Sequence, residues 1–164
     1  DINLVILEVL DLYNVGTGAN IIESDLAPVL PEIEADAGSM RQLLHNLFKN
    51  AQEALGGKKK GSICIRTLSI AAGPAQHQAC VEIRVEDSGP GFPQDILDRL
   101  FEPYVTTKPK GGGLGLAIVK KIVEEHGGNV SAENMGVSGA RLIVRLPARE
   151  MQFMRNQRSS EKML

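Results

Sequence analysis

Apolar and polar positions repeat along this chain with two different periods, and each change of period marks an element. From Ser39 to Leu55 the repeat is helical. With residues placed about 100° apart and Asn46 at zero, Leu43, Leu44, Leu47, Phe48, Ala51, Ala54 and Leu55 fill an arc from roughly 60° to 180° and just beyond. Asn50 then falls near about 40° and Glu53 near about −20°, which puts Asn50 at the rim of the buried stripe. Asparagine is a mediocre helix former, so two of them on adjacent turns of a helix interior call for a reason. Asp36 stands where an N-cap carboxylate would receive the first free amides of that helix.

Other segments follow the same logic. Ile2 to Tyr13 is dense enough in apolar residues for a helix with one buried face, broken by Val15-Gly16-Thr17-Gly18. Ala19 to Leu26 and Glu32 to Ala35 read as short strands separated by Pro28 and Pro31. Strict alternation over Ser62 to Ile70 and Ala79 to Glu86 predicts two neighbouring antiparallel strands. Asp95 to Leu100 predicts a short helix, and Leu114 to His126 a longer one closed by Gly127-Gly128. Val130 to Glu133 and Arg141 to Leu146 predict the last strands. Strands in antiparallel pairs with helices between them give an α+β fold: a two-layer α/β sandwich whose mixed, largely antiparallel sheet carries helices on one face. Residues 1–148 are expected to form one domain, and the polar run 149–164 a flexible tail.

Composition narrows the function classes. A chain of 164 residues buries about two-thirds of its unfolded surface, enough for one core without staples. A net charge of −2 with scattered Lys and Arg excludes a strong nucleic-acid footprint. Lys58-Lys59-Lys60, flanked by glycines, reads as a solvated turn. Cys64 and Cys80 lack any CxxC or companion histidine, so they read as core thiols in a reducing compartment rather than as a disulfide or a zinc site. No apolar run approaches the roughly 18 residues of a membrane span, so this domain is expected to make no direct membrane contact. The first residue is Asp1, not methionine, and the chain is expected to be cut from a longer one.

Four short signals carry the chemistry. Asn46 and Asn50 present amides from one helix face. Asp87 closes an apolar strand, and Gly89 and Gly91 after it permit a tight turn and close approach of a flat ligand; the carboxylate can accept from an exocyclic amine such as that of adenine. Phe101 to Lys110, with Pro103 and Pro109, suits a flap anchored by Phe101 and Tyr104 that carries Thr107 and Lys108. Gly111-Gly112-Gly113-Leu114-Gly115-Leu116 runs into a helix start, where free amides and the dipole favour anionic oxygens. No GxxxxGK[ST] is present, and a dinucleotide fingerprint would need glycine where Leu116 stands.

In this order the four signals resemble the N, G1, F and G2 boxes of the catalytic and ATP-binding domain of sensor histidine kinases, within the wider GHKL family with its Bergerat fold. The resemblance covers Asp1 to about Ala148 and is closest to the nitrogen-regulation type. It implies ATP and magnesium as cofactors. Asn50 would be the magnesium ligand through its side-chain oxygen, with Asn46 on phosphate or metal-bound water. Asp87, supported by Gly89 and Gly91, would hold adenine; Gly111, Gly113 and Gly115 would cradle phosphate, with Gly112, Leu114 and Leu116 beside them. Phe101 and Tyr104 would anchor the lid, and Thr107 and Lys108 would ride on it near the γ-phosphate. Gly112 departs from a frequent threonine, Glu53 from a frequent basic residue, and Ala140 from a frequent threonine.

The resemblance further implies transfer to a histidine on a phosphoacceptor helical hairpin that this chain does not contain, a downstream response regulator, and a homodimeric parent whose cytoplasmic part this would be, with possible anchoring in the inner membrane. None of His45, His77 or His126 has the setting of such an acceptor. Two other readings stay open on sequence: an ATP hydrolase of the gyrase type, against which stands Asn46 where those enzymes carry a glutamate, and a non-catalytic docking module.

Overall fold

The computed structural model describes residues 1–14, 21–56, 61–74, 78–106 and 112–149. Period-2 segments become a five-stranded sheet: β1 (Ile21–Leu26), β2 (Ser62–Ile70), β3 (Cys80–Asp87), β4 (Asn129–Asn134) and β5 (Ala140–Pro147), in the order β1-β2-β3-β5-β4. Only β1 and β2 run parallel; every other neighbouring pair is antiparallel. Three helices, α1 (Ile2–Asn14), α2 (Ala37–Leu55) and α3 (Gly115–Glu125), pack on one face. The molecule is thus the two-layer α+β sandwich that the patterning predicts.

Alternation sorts the strand residues between the two faces. Ile63 and Ile65, Val81, Ile83 and Val85, and Leu142, Val144 and Leu146 point inward and meet α2's Leu43, Leu44, Leu47 and Phe48, all of them buried. Registers pairing Val85 with Leu142 and with Ile65 align these side chains across three strands. The reverse face bears charges. Glu86 accepts from Arg141 at 2.6 Å and pairs with Arg66 at 3.3 Å, while Glu82 accepts from Arg84 and Arg145. Glu82 is only 1% exposed. Burial opposes its ionisation, but Arg145 and Arg84 outweigh that and hold its carboxyl below the usual range. Burial pushes both Cys64 and Cys80 thiols up, and both are free.

Helix α2 is fixed at both ends. Asp36 accepts from the Ser39 amide at 2.6 Å, the N-cap expected of it, and Gly56 closes the other end in the left-handed region. His126, at the end of α3, receives the Asp36 amide on Nε2 at 3.3 Å while its Nδ1 lies 2.7 Å from the Ile122 carbonyl. That clasp joins the start of α2 to the end of α3.

Two expectations need correction. Glu32 to Ala35 is not a strand: Pro28 and Pro31 break the ladder, leaving one bridge between Ile33 and Ala148 and a bond from the Arg149 amide to the Glu32 carbonyl. Asp95 to Leu100 tightens to a 3-10 turn, Leu97–Arg99, with no side-chain cap at its start. Ala19 and Asn20, the lysine knot 58–60 and the tail 150–164 lie outside the described residues.

Candidate functional site

A cavity of about 350 Å³ opens between α2 and the start of α3. Its size is within the range of small-ligand sites. The polar wall is the α2 arc that the helical wheel leaves outside the core: Asn46, Lys49, Asn50 and Glu53. Facing it are Gly112, Gly113, Leu114, Gly115 and Leu116. An apolar third side comes from Phe92, Ile96, Leu100, Val105 and Ile118, with Thr106 beside them.

Asn46 is held in one orientation. Its amide nitrogen donates to the Gln42 carbonyl at 3.0 Å, and its carbonyl oxygen stands 3.3 Å from where a side chain on Gly115 would begin. A larger residue at 115 would therefore press on that oxygen. Leu114 supplies no side-chain cap to α3. The amides of the first α3 turn thus open toward the same space as the asparagines, a helix start suited to anionic oxygens.

Asp87 ends β3 on the inward face and is 5% exposed. Its Oδ1 accepts from the Gly89 amide at 2.8 Å, and Gly89 abuts Ala54, one turn beyond Asn50 on α2. The turn after Asp87 therefore lies against α2 one turn beyond Asn50. Asp87, Gly89 and Gly91 are not part of the cavity's lining, however; Phe92 and Ile96 form the wall on their side. The turn is tied down by neighbours. Asn134 accepts from the Phe92 amide and donates to the Phe92 carbonyl, both at 2.7 Å, and the Gly139 amide donates to the Gly89 carbonyl at 2.7 Å. Ser88 and Ser62 exchange two further bonds: the Ser88 amide donates to the Ser62 carbonyl, and the Ser62 amide donates to the Ser88 hydroxyl.

Residues 104 and 113 meet at one backbone contact. The Tyr104 amide donates to the Gly113 carbonyl at 2.9 Å, with Tyr104 at φ 66° and Gly113 at φ 64°. Phe101 packs on the core, whereas the Tyr104 ring is 77% exposed, so residue 104 closes the stem through its main chain. Thr107, Lys108 and Gly111 lie outside the described residues.

Two histidines have structural partners. His45 meets Tyr13, with Nδ1 3.2 Å from its hydroxyl, at the contact of α1 and α2; His126 is the clasp described above. His77 is outside the described residues. Among the described residues no group of three or more His, Cys, Asp or Glu could hold a metal by itself. Two amide oxygens, one carboxylate and adjoining free amides instead suit a hard cation that shares its oxygen ligands with a bound phosphate.

Lys49 and Asn134 escape the four motifs. Extending the same wheel to Lys49 gives about −60°, within the cavity arc, so the first was legible. The second depends on the register of β4 with β5 and had no local signal.

Residues 35–150 match the family model described as "Histidine kinase-, DNA gyrase B-, and HSP90-like ATPase". The chain is 38% identical over 142 residues to the sensory histidine kinase/phosphatase NtrB of Rhizobium leguminosarum bv. phaseoli, covering 82% of this chain and 37% of that protein. It is 40% identical over 151 residues to the sensor histidine kinase ZraS of Escherichia coli O157:H7, covering 90% and 31%. The chain thus spans about a third of the length of these relatives. Among solved structures it is similar to the catalytic domain of histidine kinase ThkA, with a TM-score of 0.75, 32% identity and coverage of 89% and 93%. It is also similar to ThkA in complex with the response regulator protein TrrA, with a TM-score of 0.72, 30% identity and coverage of 90% and 40%.

Proposed function

Because this chain belongs to the family of histidine kinase-, DNA gyrase B- and HSP90-like ATPases, we propose that it binds Mg-ATP between α2 and α3 and supplies the γ-phosphoryl group to a histidine on a separate helical hairpin. The observation that carries this reading is the convergence of the Asn46 and Asn50 amides with the glycine-rich start of α3 on one cavity. Bound magnesium would neutralise phosphate charge and help orient the terminal group. Asn50 would offer it a side-chain oxygen, with Asn46 on phosphate or metal-bound water, and Glu53 adds a carboxylate to the same wall. First-turn amides of α3 hold phosphate oxygens. Asp87, fixed by Gly89, accepts from the purine amine at the inner end, reached past Phe92. The resemblance gives Thr107 and Lys108, which lie outside the described residues, to a lid near the γ-phosphate that would exclude water.

Asn46 supports transfer over hydrolysis, since a carboxamide is not basic enough to take a proton from water. Among the described residues the two histidines, His45 and His126, are engaged in packing contacts, which favours an acceptor supplied from elsewhere. A partner hairpin of the same kinase, a homodimeric parent and a response regulator complete the proposal; ThkA was solved with such a regulator. No described helix is long and apolar enough to cross a membrane. Arg149 is tied to Glu32, and the rest of the polar run 149–164 is proposed as a tail beyond the domain; any anchoring of the parent in the inner membrane would reside in other segments.

Calorimetric titration with Mg-ATP tests the reading. Binding is expected for the wild type, with Asn50→Ala removing its magnesium dependence and Asp87→Asn weakening adenine recognition. Labelled ATP alone should leave the chain unlabelled, and adding the hairpin should label the hairpin. Absence of any heat with Mg-ATP, or robust self-labelling on this chain's own histidines, would overturn it.

A further inference from the structure

Lys49 has no role in the motifs, yet it is the one cation among the described residues that line the cavity. It stands one residue before Asn50 and four before Glu53, so the three share one side of α2. Its main chain is fixed. Phe48 before it is fully buried, and α2 is capped at both ends. Only the side chain is free to move, and it is exposed. Surface lysines elsewhere have carboxylates near them: Lys120 faces Glu124 and Lys121 faces Glu125, each at 3.8 Å. Lys49 has no ion-pair partner among the described residues.

A triphosphate carries more negative charge than one divalent ion cancels. We infer that Lys49 is the specificity determinant for the terminal phosphate, a rigidly based cation that distinguishes a nucleoside triphosphate from a diphosphate; this rests on the nucleotide reading of the cavity. Lysine suits the task because its ammonium is a compact charge on a flexible stem and can follow a phosphate that shifts.

Titrations of Mg-ATP and Mg-ADP into the wild type, Lys49→Gln, Lys49→Arg and, as a control, Lys120→Gln decide the matter. Lys49→Gln should weaken Mg-ATP about tenfold, the worth of one charge-assisted contact, and leave Mg-ADP within about twofold. Lys49→Arg should recover most of the loss, Lys120→Gln should change neither, and melting temperatures should stay level because the side chain is exposed. Equal weakening of both nucleotides, or of neither, would overturn the assignment while leaving the nucleotide site intact. A wild type that binds neither nucleotide would instead remove the reading beneath it.

Discussion

The turn after Asp87 and the stem between Tyr104 and Gly113 border the same cavity but are held by different means. The first is tied by two bonds from Asn134, one from Gly139 and two exchanged with Ser62, most of them reaching it from β4, β5 or the strand edge. The second is closed by a main-chain bond between residues nine apart, one of them a tyrosine in the left-handed region. That region costs an ordinary side chain roughly 1–2 kcal/mol. The purine end of the proposed site is therefore part of the sheet and inherits its rigidity. The phosphate end is closed by a local contact that can open without disturbing the core.

Three substitutions probe that contrast, ranked by their effect on unfolding. Gly139→Ala should be the most damaging, because its Cβ would lie 2.6 Å from the Asp87 carbonyl oxygen at φ 98°. A loss of about 3 kcal/mol is expected, with a melting temperature about 6–12 °C lower. An unchanged melting curve would mean that the turn is not part of the frame. Asn134→Ala removes both bonds to Phe92 and should cost about 1–2 kcal/mol, with adenine nucleotides binding more weakly. If unfolding shifts while nucleotide affinity holds, Asn134 serves the fold alone.

Gly113→Ala is the smallest lesion for the fold and a severe one for the flap. Its Cβ would fall 2.6 Å from the Tyr104 carbonyl carbon. Chemical denaturation should register under about 1 kcal/mol, since the strain is relieved by releasing the stem. Mg-ATP affinity should nevertheless fall about tenfold or more, measured by calorimetry. A stability loss as large as that of Gly139→Ala would erase the distinction between the two turns.

Much of this was readable from residue order. The stripe on α2 identified the core side and, at its rim, Asn46 and Asn50, because a helix converts spacing into direction with little help from context. Strand alternation gave the sheet, and Asp36 the cap. What failed was short and proline-bounded: Glu32 to Ala35 has strand-like composition but follows Pro28 and Pro31 so closely that only one bridge, Ile33 to Ala148, forms, and Asp95 to Leu100 is too brief to close a helical turn without tertiary support. The clamp on the Asp87 turn was illegible because Asn134 lies 42 positions beyond Phe92 and meets it only through strand register. Tyr104 reads as an aromatic anchor by type, yet its contribution comes from the backbone, which no side-chain pattern encodes.

The arginine–carboxylate lattice on the reverse of the sheet has an architectural consequence. By riveting β2, β3, β5 and β4 to one another across that side, it gives the strands a water-compatible back, so a third layer is superfluous. The cavity between α2 and α3 lies on the opposite flank, where the helices are.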